Sequence, residues 1–151
     1  MPDDLGEPRR DAGPAPFRAA LKAAPSDAAR VREEFVLFCE ALEVPSPAVD
    51  DLALALAEAL DNVIEHGCGG SPGEELLVEA AVERGRVRLT VRDRGPQFDP
   101  TTAPGPAGRT LDERGFGGFG LRLVRSLVDE MAYERRDGEN RLLLVKRVGE
   151  P

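Results

Sequence analysis

The sequence predicts an α+β fold: a two-layer sandwich of one mixed, mostly antiparallel sheet with three helices on one face. Three observations carry this. Segments with period-two alternation occur as adjacent pairs joined by Gly-containing turns, the pattern of β-hairpins. Apolar residues at helical spacing mark three further segments. The order is strand, helix, helix, hairpin, long loop, helix, hairpin, and strands kept in hairpins with the helices gathered together imply helices covering one side of a sheet. At 151 residues the chain has the size of one domain.

Residues 1–16 place Pro2, Pro8, Pro14 and Pro16 among charges and glycines, too little apolar surface to offset the entropy of ordering, so a mobile arm is expected there. The fold is expected over 17–148. FRAALKA (17–23) alternates and suits a strand with one wet face. After Pro25, Ser26 or Asp27 is placed to cap a helix running to about Leu42, with Val31, Phe35 and Phe38 on its apolar side. VPSP (44–47) breaks it, and a second helix follows to about His66, where Gly67 stops it; Leu52, Leu56, Ala59, Leu60 and Val63 form its stripe. CGGSPGEE (68–75) reads as a loop. LLVEAAVE (76–83) and RVRLTVRD (86–93) form a hairpin around Arg84-Gly85. From Gly95 to Gly118 the chain is rich in Pro and Gly without periodicity, the composition of a functional lid or of a disordered segment. A third helix is expected from about Phe119 to Glu130, and segments 131–138 and 140–148 close the chain as a second hairpin.

Composition excludes several classes. With 41% apolar and 32% charged residues the chain reads as soluble and globular, and no apolar run has the length of a membrane span. The first residues lack an apolar core behind their charges, so a cytoplasmic protein without a secretory leader is expected. Cys39 and Cys68 have no CxxC spacing and read as two reduced thiols. A net charge of −8, no Lys/Arg run and no Trp argue against direct binding to nucleic acid.

Chemistry concentrates in three places. In EALDNVIEH (58–66), Glu58 and Asn62 are four residues apart and share a helix face, with His66 one step further. The acid can accept a proton from an attacking hydroxyl and the amide oxygen can bind Mg²⁺, or the pair is simply a solvated face. His66 reads as a helix C-terminal cap. Asp93, at a strand end in DRG (93–95), is either a turn residue or an acceptor for an exocyclic amine such as that of adenine. GFGGFG (115–120) meets G-x-G-x-x-G, yet it follows a lid and not a strand, so a dinucleotide fold is disfavoured. No Gly-Lys-Ser/Thr, H-R-D or D-F-G occurs, which removes the Walker and eukaryotic-type kinase loops. What remains is backbone N–H groups ahead of a helix N-terminus, a combination that suits phosphate.

Together, E-x-x-x-N-x-x-x-H on a helix, D-x-G after a strand and a glycine box opening a helix resemble the N, G1 and G2 boxes of the GHKL ATPase superfamily, with its Bergerat fold. Within it, GGFGLRLVRSLVDEM (117–131) and the closing NRLLLVKR resemble the anti-sigma-factor serine kinases related to RsbW and SpoIIAB. The resemblance implies ATP or ADP and Mg²⁺ as ligands, Glu58 as general base, Asn62 as Mg²⁺ ligand, Asp93 as the adenine-binding carboxylate and Gly95 beneath the purine. It implies Gly115, Gly117, Gly118 and Gly120 around the phosphates, Arg114 at the terminal one, and His66 as the histidine closing the first box. It also implies a serine/threonine kinase that sequesters a sigma factor and phosphorylates a STAS-domain antagonist. Two positions depart from the family: Asp61 stands in place of a second Asn, and the last-strand Thr is replaced among Leu142, Leu143 and Leu144. A nucleotide-gated sequestering module without useful catalysis is the alternative. A detached histidine-kinase catalytic domain is disfavoured, since no heptad-bearing helix precedes Phe17. The strand at 17–23 would expose an edge or face suited to a homodimer, and the family points the same way.

Overall fold

The computed structural model describes residues 14–67, 74–95 and 118–149. The elements are β1 (Phe17–Lys22), α1 (Pro25–Ala41), α2 (Ser46–Asn62) continued by a π turn (Val63–Gly67), β2 (Glu75–Glu83), β3 (Arg86–Asp93), α3 (Gly118–Leu127), β4 (Glu130–Arg136) and β5 (Glu139–Arg147). The strands form one sheet in the order β1-β2-β3-β5-β4, antiparallel at every described pair. Because β3 and β4 both oppose β5, they run in the same direction. Such strands require a crossover, and α3 lies on it. The arm expected over 1–16 lies outside the described residues up to 13, as do the loop at 68–73 with Cys68 and the lid at 96–117.

Alternation decides which side of the sheet is covered. Ala19 and Leu21 of β1, Leu76, Val78 and Ala80 of β2, Val87, Leu89 and Val91 of β3, and Leu142 and Leu144 of β5 share one core with the helices. The helices contribute Val31, Phe35, Leu52, Leu56, Leu60 and Val124, all fully buried. Phe17 packs edge-on against Phe35 with ring centroids 5.9 Å apart, which anchors β1 beneath α1. Lys146 reaches from β5 to Asp51 of α2 at 3.0 Å. Cys39 is buried in this core, and burial pushes its thiol up to about 12, so it stays protonated and inert. No described helix is long and apolar enough to cross a membrane.

Local chemistry shifts several boundaries. Helix α1 begins with Pro25 in its first turn and Ala24 at the cap position, with no side-chain cap. Asp27 does not cap it; its carboxylate accepts from the Lys22 backbone N–H at 2.9 Å. Arg30 donates to Ala20 O at 3.4 Å, and Ala24 N–H to Lys22 O at 2.7 Å. The β1 edge is thus partly engaged by its own chain, leaving less of it for strand addition than the sequence suggested. Helix α2 is α-helical only to Asn62, and one π turn carries the chain on to Gly67. Helix α3 stops at Leu127 because Asp129 N–H donates to Val145 O at 2.8 Å, and the Asp129 carboxylate accepts from Arg147 N–H at 2.6 Å. Glu130, expected at the end of that helix, instead begins β4. The β4–β5 turn is Asp137-Gly138, with φ of 53° and 77°, the left-handed pair that tight hairpins favour.

The sheet face turned away from the helices carries an ionic ladder. Arg92 and Arg141 face one another across β3 and β5. Glu139 Oε1 sits between them, 3.1 Å from Arg92 Nη2 and 2.9 Å from Arg141 Nε. Arg92 also reaches Glu79 on β2 at 2.9 Å. Burial alone would raise the Glu139 carboxyl, but the two guanidinium donors outweigh it and hold the group below its ordinary 4.5. Its contribution to stability is therefore complete above that ordinary value and falls away as pH drops toward the lowered folded-state value. Urea unfolding from pH 7 down to pH 3 is expected to show Glu139→Gln less stable than the parent at pH 7, with the difference shrinking through the acid range.

Candidate functional site

Asp93 ends β3 and is buried, 6% exposed. A buried carboxylate needs donors. Its Oδ1 accepts from Gly95 N–H at 2.8 Å, closing a tight turn over Asp93-Arg94-Gly95, and from Asn140 Nδ2 at 3.0 Å. Both bonds fall on one oxygen. Among the described residues no donor reaches Oδ2, so the carboxylate keeps one acceptor atom available to a ligand.

Asn140 is the residue paired with Asp93 across β3 and β5. Of the residues further along β5, Leu142 lies opposite Val91 and Leu144 opposite Leu89, both in the core, while Leu143 faces Thr90 on the other side. Asn140 is 4% exposed. Its Oδ1 accepts from Tyr133 Oη and from Arg135 Nη1, the latter at 3.0 Å, and its Nδ2 also donates to Gly95 O at 3.3 Å. Arg135 Nη1 reaches Gly95 O as well, at 3.0 Å. Asn140 opens the NRLLLVKR segment without a role of its own there, and Arg135 and Tyr133 belong to no motif. Only the pairing of β5 with β3 marks them, and that is a tertiary choice.

Glu58 and Asn62 lie in the last turns of α2, as their spacing predicts, with Glu58 half-buried and Asn62 6% exposed. Among the described residues Asn62 Oδ1 is the one buried side-chain polar atom without a hydrogen-bond partner. An orphaned acceptor at this depth costs about 1–3 kcal/mol. An oxygen of this kind fits a hard cation such as Mg²⁺, which takes oxygen ligands and keeps several of its own waters. The π turn that follows contains His66. Asp61 precedes Asn62; partial burial and the nearby Glu65 push its carboxyl above the usual range, against the opposing pull of Arg32. A π turn in a helix often accompanies a functional site.

Gly118 and Gly120 occupy the first turn of α3, and α3 packs against α2, so the start of this helix shares one side of the molecule with α2. The first-turn N–H groups of a helix have no partners within it and attract anions. Arg114, Gly115 and Gly117 lie outside the described residues.

Residues 21–146 match the family described as the histidine kinase-like ATPase domain. The chain is similar to the serine/threonine-protein kinase BtrW of Bordetella bronchiseptica, 38% identical over 96 residues, covering 62% of this chain and 66% of that protein. It is also similar to the serine-protein kinase RsbW of Bacillus pumilus, 32% identical over 97 residues and covering 60% of each. The chain thus spans a little under two thirds of the length of these curated relatives. A crystal structure of the RsbU and RsbW domains of a Mycobacterium tuberculosis protein superposes with a TM-score of 0.66 at 23% identity, covering 91% of this chain and 34% of that one, and so shares its fold.

The orphaned oxygen yields a stability test. In nucleotide-free protein, Asn62→Leu is expected to be as stable as the parent or to gain up to about 1–3 kcal/mol, because it removes an unsatisfied buried acceptor. Urea unfolding without ligand measures it, and a marked loss would mean that Oδ1 has a partner in solution.

Proposed function

Because the chain belongs to the histidine kinase-like ATPase domain family, we propose that it binds ATP among Asp93, the end of α2 and the start of α3, and transfers the γ-phosphoryl group to a serine or threonine of a protein partner. The observation that carries this reading is the pair of unclaimed acceptors: the second oxygen of the buried Asp93 carboxylate and the orphaned Oδ1 of Asn62. A buried acceptor-only carboxylate suits an exocyclic amine such as that of adenine, and the family resemblance places Gly95 beneath the ring.

Asn62 Oδ1 would hold Mg²⁺, which when bound offsets charge on the phosphate oxygens. The N-terminal N–H groups of α3, at Gly118 and Gly120, would receive the phosphates, with Gly115, Gly117 and Arg114 preceding them. Glu58 accepts the proton of the acceptor hydroxyl as its oxygen bonds to the γ-phosphorus. The bond from that phosphorus to the β–γ bridging oxygen breaks, and ADP leaves with the electron pair. Transfer of this kind asks the protein for alignment and charge more than for covalent chemistry.

The names of the similar proteins, serine- and serine/threonine-protein kinases, support a hydroxyl acceptor over histidine. The resemblance of segment 117–131 to anti-sigma-factor kinases supports the finer reading: a cytoplasmic regulator that sequesters a sigma factor and phosphorylates a STAS-domain antagonist. Labelled ATP, Mg²⁺ and the candidate STAS protein test it. Acid-stable label on serine is expected. Tight ATP-dependent binding without label would favour a sequestering module, and acid-labile label on a histidine protein would overturn the hydroxyl acceptor.

Glu58→Gln is expected to retain ATP binding, measured by calorimetry, and to lower the transfer rate by about 10²–10⁴. A variant that transfers phosphate at the parent rate would remove Glu58 from the role of base.

A further inference from the structure

Among the described residues, every donor and acceptor position of the Asn140 amide has a partner. Its two hydrogens go to Asp93 Oδ1 at 3.0 Å and Gly95 O at 3.3 Å, and its oxygen accepts from Tyr133 Oη and from Arg135 Nη1 at 3.0 Å. Such an amide has two donors and two lone pairs. The orientation is therefore locked. A flip would turn its NH₂ toward the Arg135 guanidinium and its oxygen toward the Asp93 carboxylate, both repulsive. The same Arg135 Nη1 holds Gly95 O at 3.0 Å, so one guanidinium nitrogen from edge strand β4 fixes both the amide and the turn.

We propose that Arg135, assisted by Tyr133, is a positioning residue for purine selectivity: by locking the Asn140 amide it consumes both amide hydrogens and leaves Asp93 Oδ2 as the atom offered to the base. This rests on the nucleotide-binding reading above. Adenine presents an amine where guanine presents a carbonyl oxygen. A locked amide has no hydrogen to spare for that carbonyl, and the carboxylate repels it. A released amide can rotate and donate, which weakens the preference for adenine and opens a way to accept guanine. A site whose buried polar groups suit one partner rejects another through the groups left unpaired. Arg135 thus sets selectivity through Asn140 and Asp93 without touching the base.

The test measures ADP and GDP affinities by calorimetry on the full-length chain for the parent, Arg135→Met, Arg135→Lys and Tyr133→Phe, alongside urea unfolding midpoints. The parent is expected to prefer ADP. Arg135→Met is expected to narrow the ADP-to-GDP affinity ratio by about tenfold or more, a change of about 1.4 kcal/mol in selectivity. Arg135→Lys, whose ammonium has three donors and so can serve both acceptors of Nη1, is expected to stay within about threefold of the parent ratio. Tyr133→Phe removes one hydroxyl and is expected to narrow the ratio by a smaller factor; it decides the matter if Arg135→Met does not fold. A merely structural role would lower both affinities together and leave the ratio in place, and that outcome in the folded variants overturns the proposal alone. A parent that takes up neither nucleotide overturns the nucleotide-binding reading and this inference together.

Discussion

The antiparallel pairing of β3 with β5, which sets Asp93 against Asn140, is the constraint on which the site depends. Side chains alternate across a sheet, so slipping this pair by one residue would exchange the faces of every residue on β5. Leu142 and Leu144 would leave the core, and Asn140 would move to the face that carries Arg92. Burial of Val91 against Leu142 and of Leu89 against Leu144 therefore specifies the register that presents the carboxylate. The hydrophobic core and the polar site are determined by one and the same alignment.

The opposite face reinforces it. Arg92 and Glu139 immediately precede Asp93 and Asn140 in sequence, and they form an ion pair on the other side of the sheet at 3.1 Å. Glu139 also receives Arg141, which separates two like charges that would otherwise confront one another. Partly buried pairs of this kind are screened less by salt than exposed ones. Each residue of the site pair is thus backed by a partner of the ladder, so the placement of Asp93 does not rest on its own hydrogen bonds alone.

Asn62 carries a cost to the ligand-free protein. An apolar residue would suit its buried surroundings better, and the unpartnered oxygen costs the ligand-free protein free energy. Such an oxygen suits the cation proposed for this site. The change from α to π geometry directly after Asn62 falls at the same place. Asp93 shows the complementary arrangement: among the described residues one carboxylate oxygen is satisfied and the other has no donor.

Much of this was legible in the residues. Alternation in 76–83 and 86–93 specified a hairpin and its buried face, because period two has only one way to present Val87, Leu89 and Val91 together. The four-residue step from Glu58 to Asn62 by itself puts them on neighbouring positions of one helix. Boundaries were less legible where distant groups decided them: α3 stops because Asp129 finds β5, and α1 starts without the cap that Ser26 or Asp27 offered because Asp27 serves Lys22 instead. Asn140, Arg135 and Tyr133 were not legible at all as site residues. Sequence alone determined the elements, their order, the core-facing residues and the three polar motifs, since these follow from local periodicity and residue chemistry. Only the tertiary structure decided which strand lies beside β3, and with it which amide grips Asp93, because strand pairing across a crossover is settled by packing over the whole core and not by neighbours in the chain.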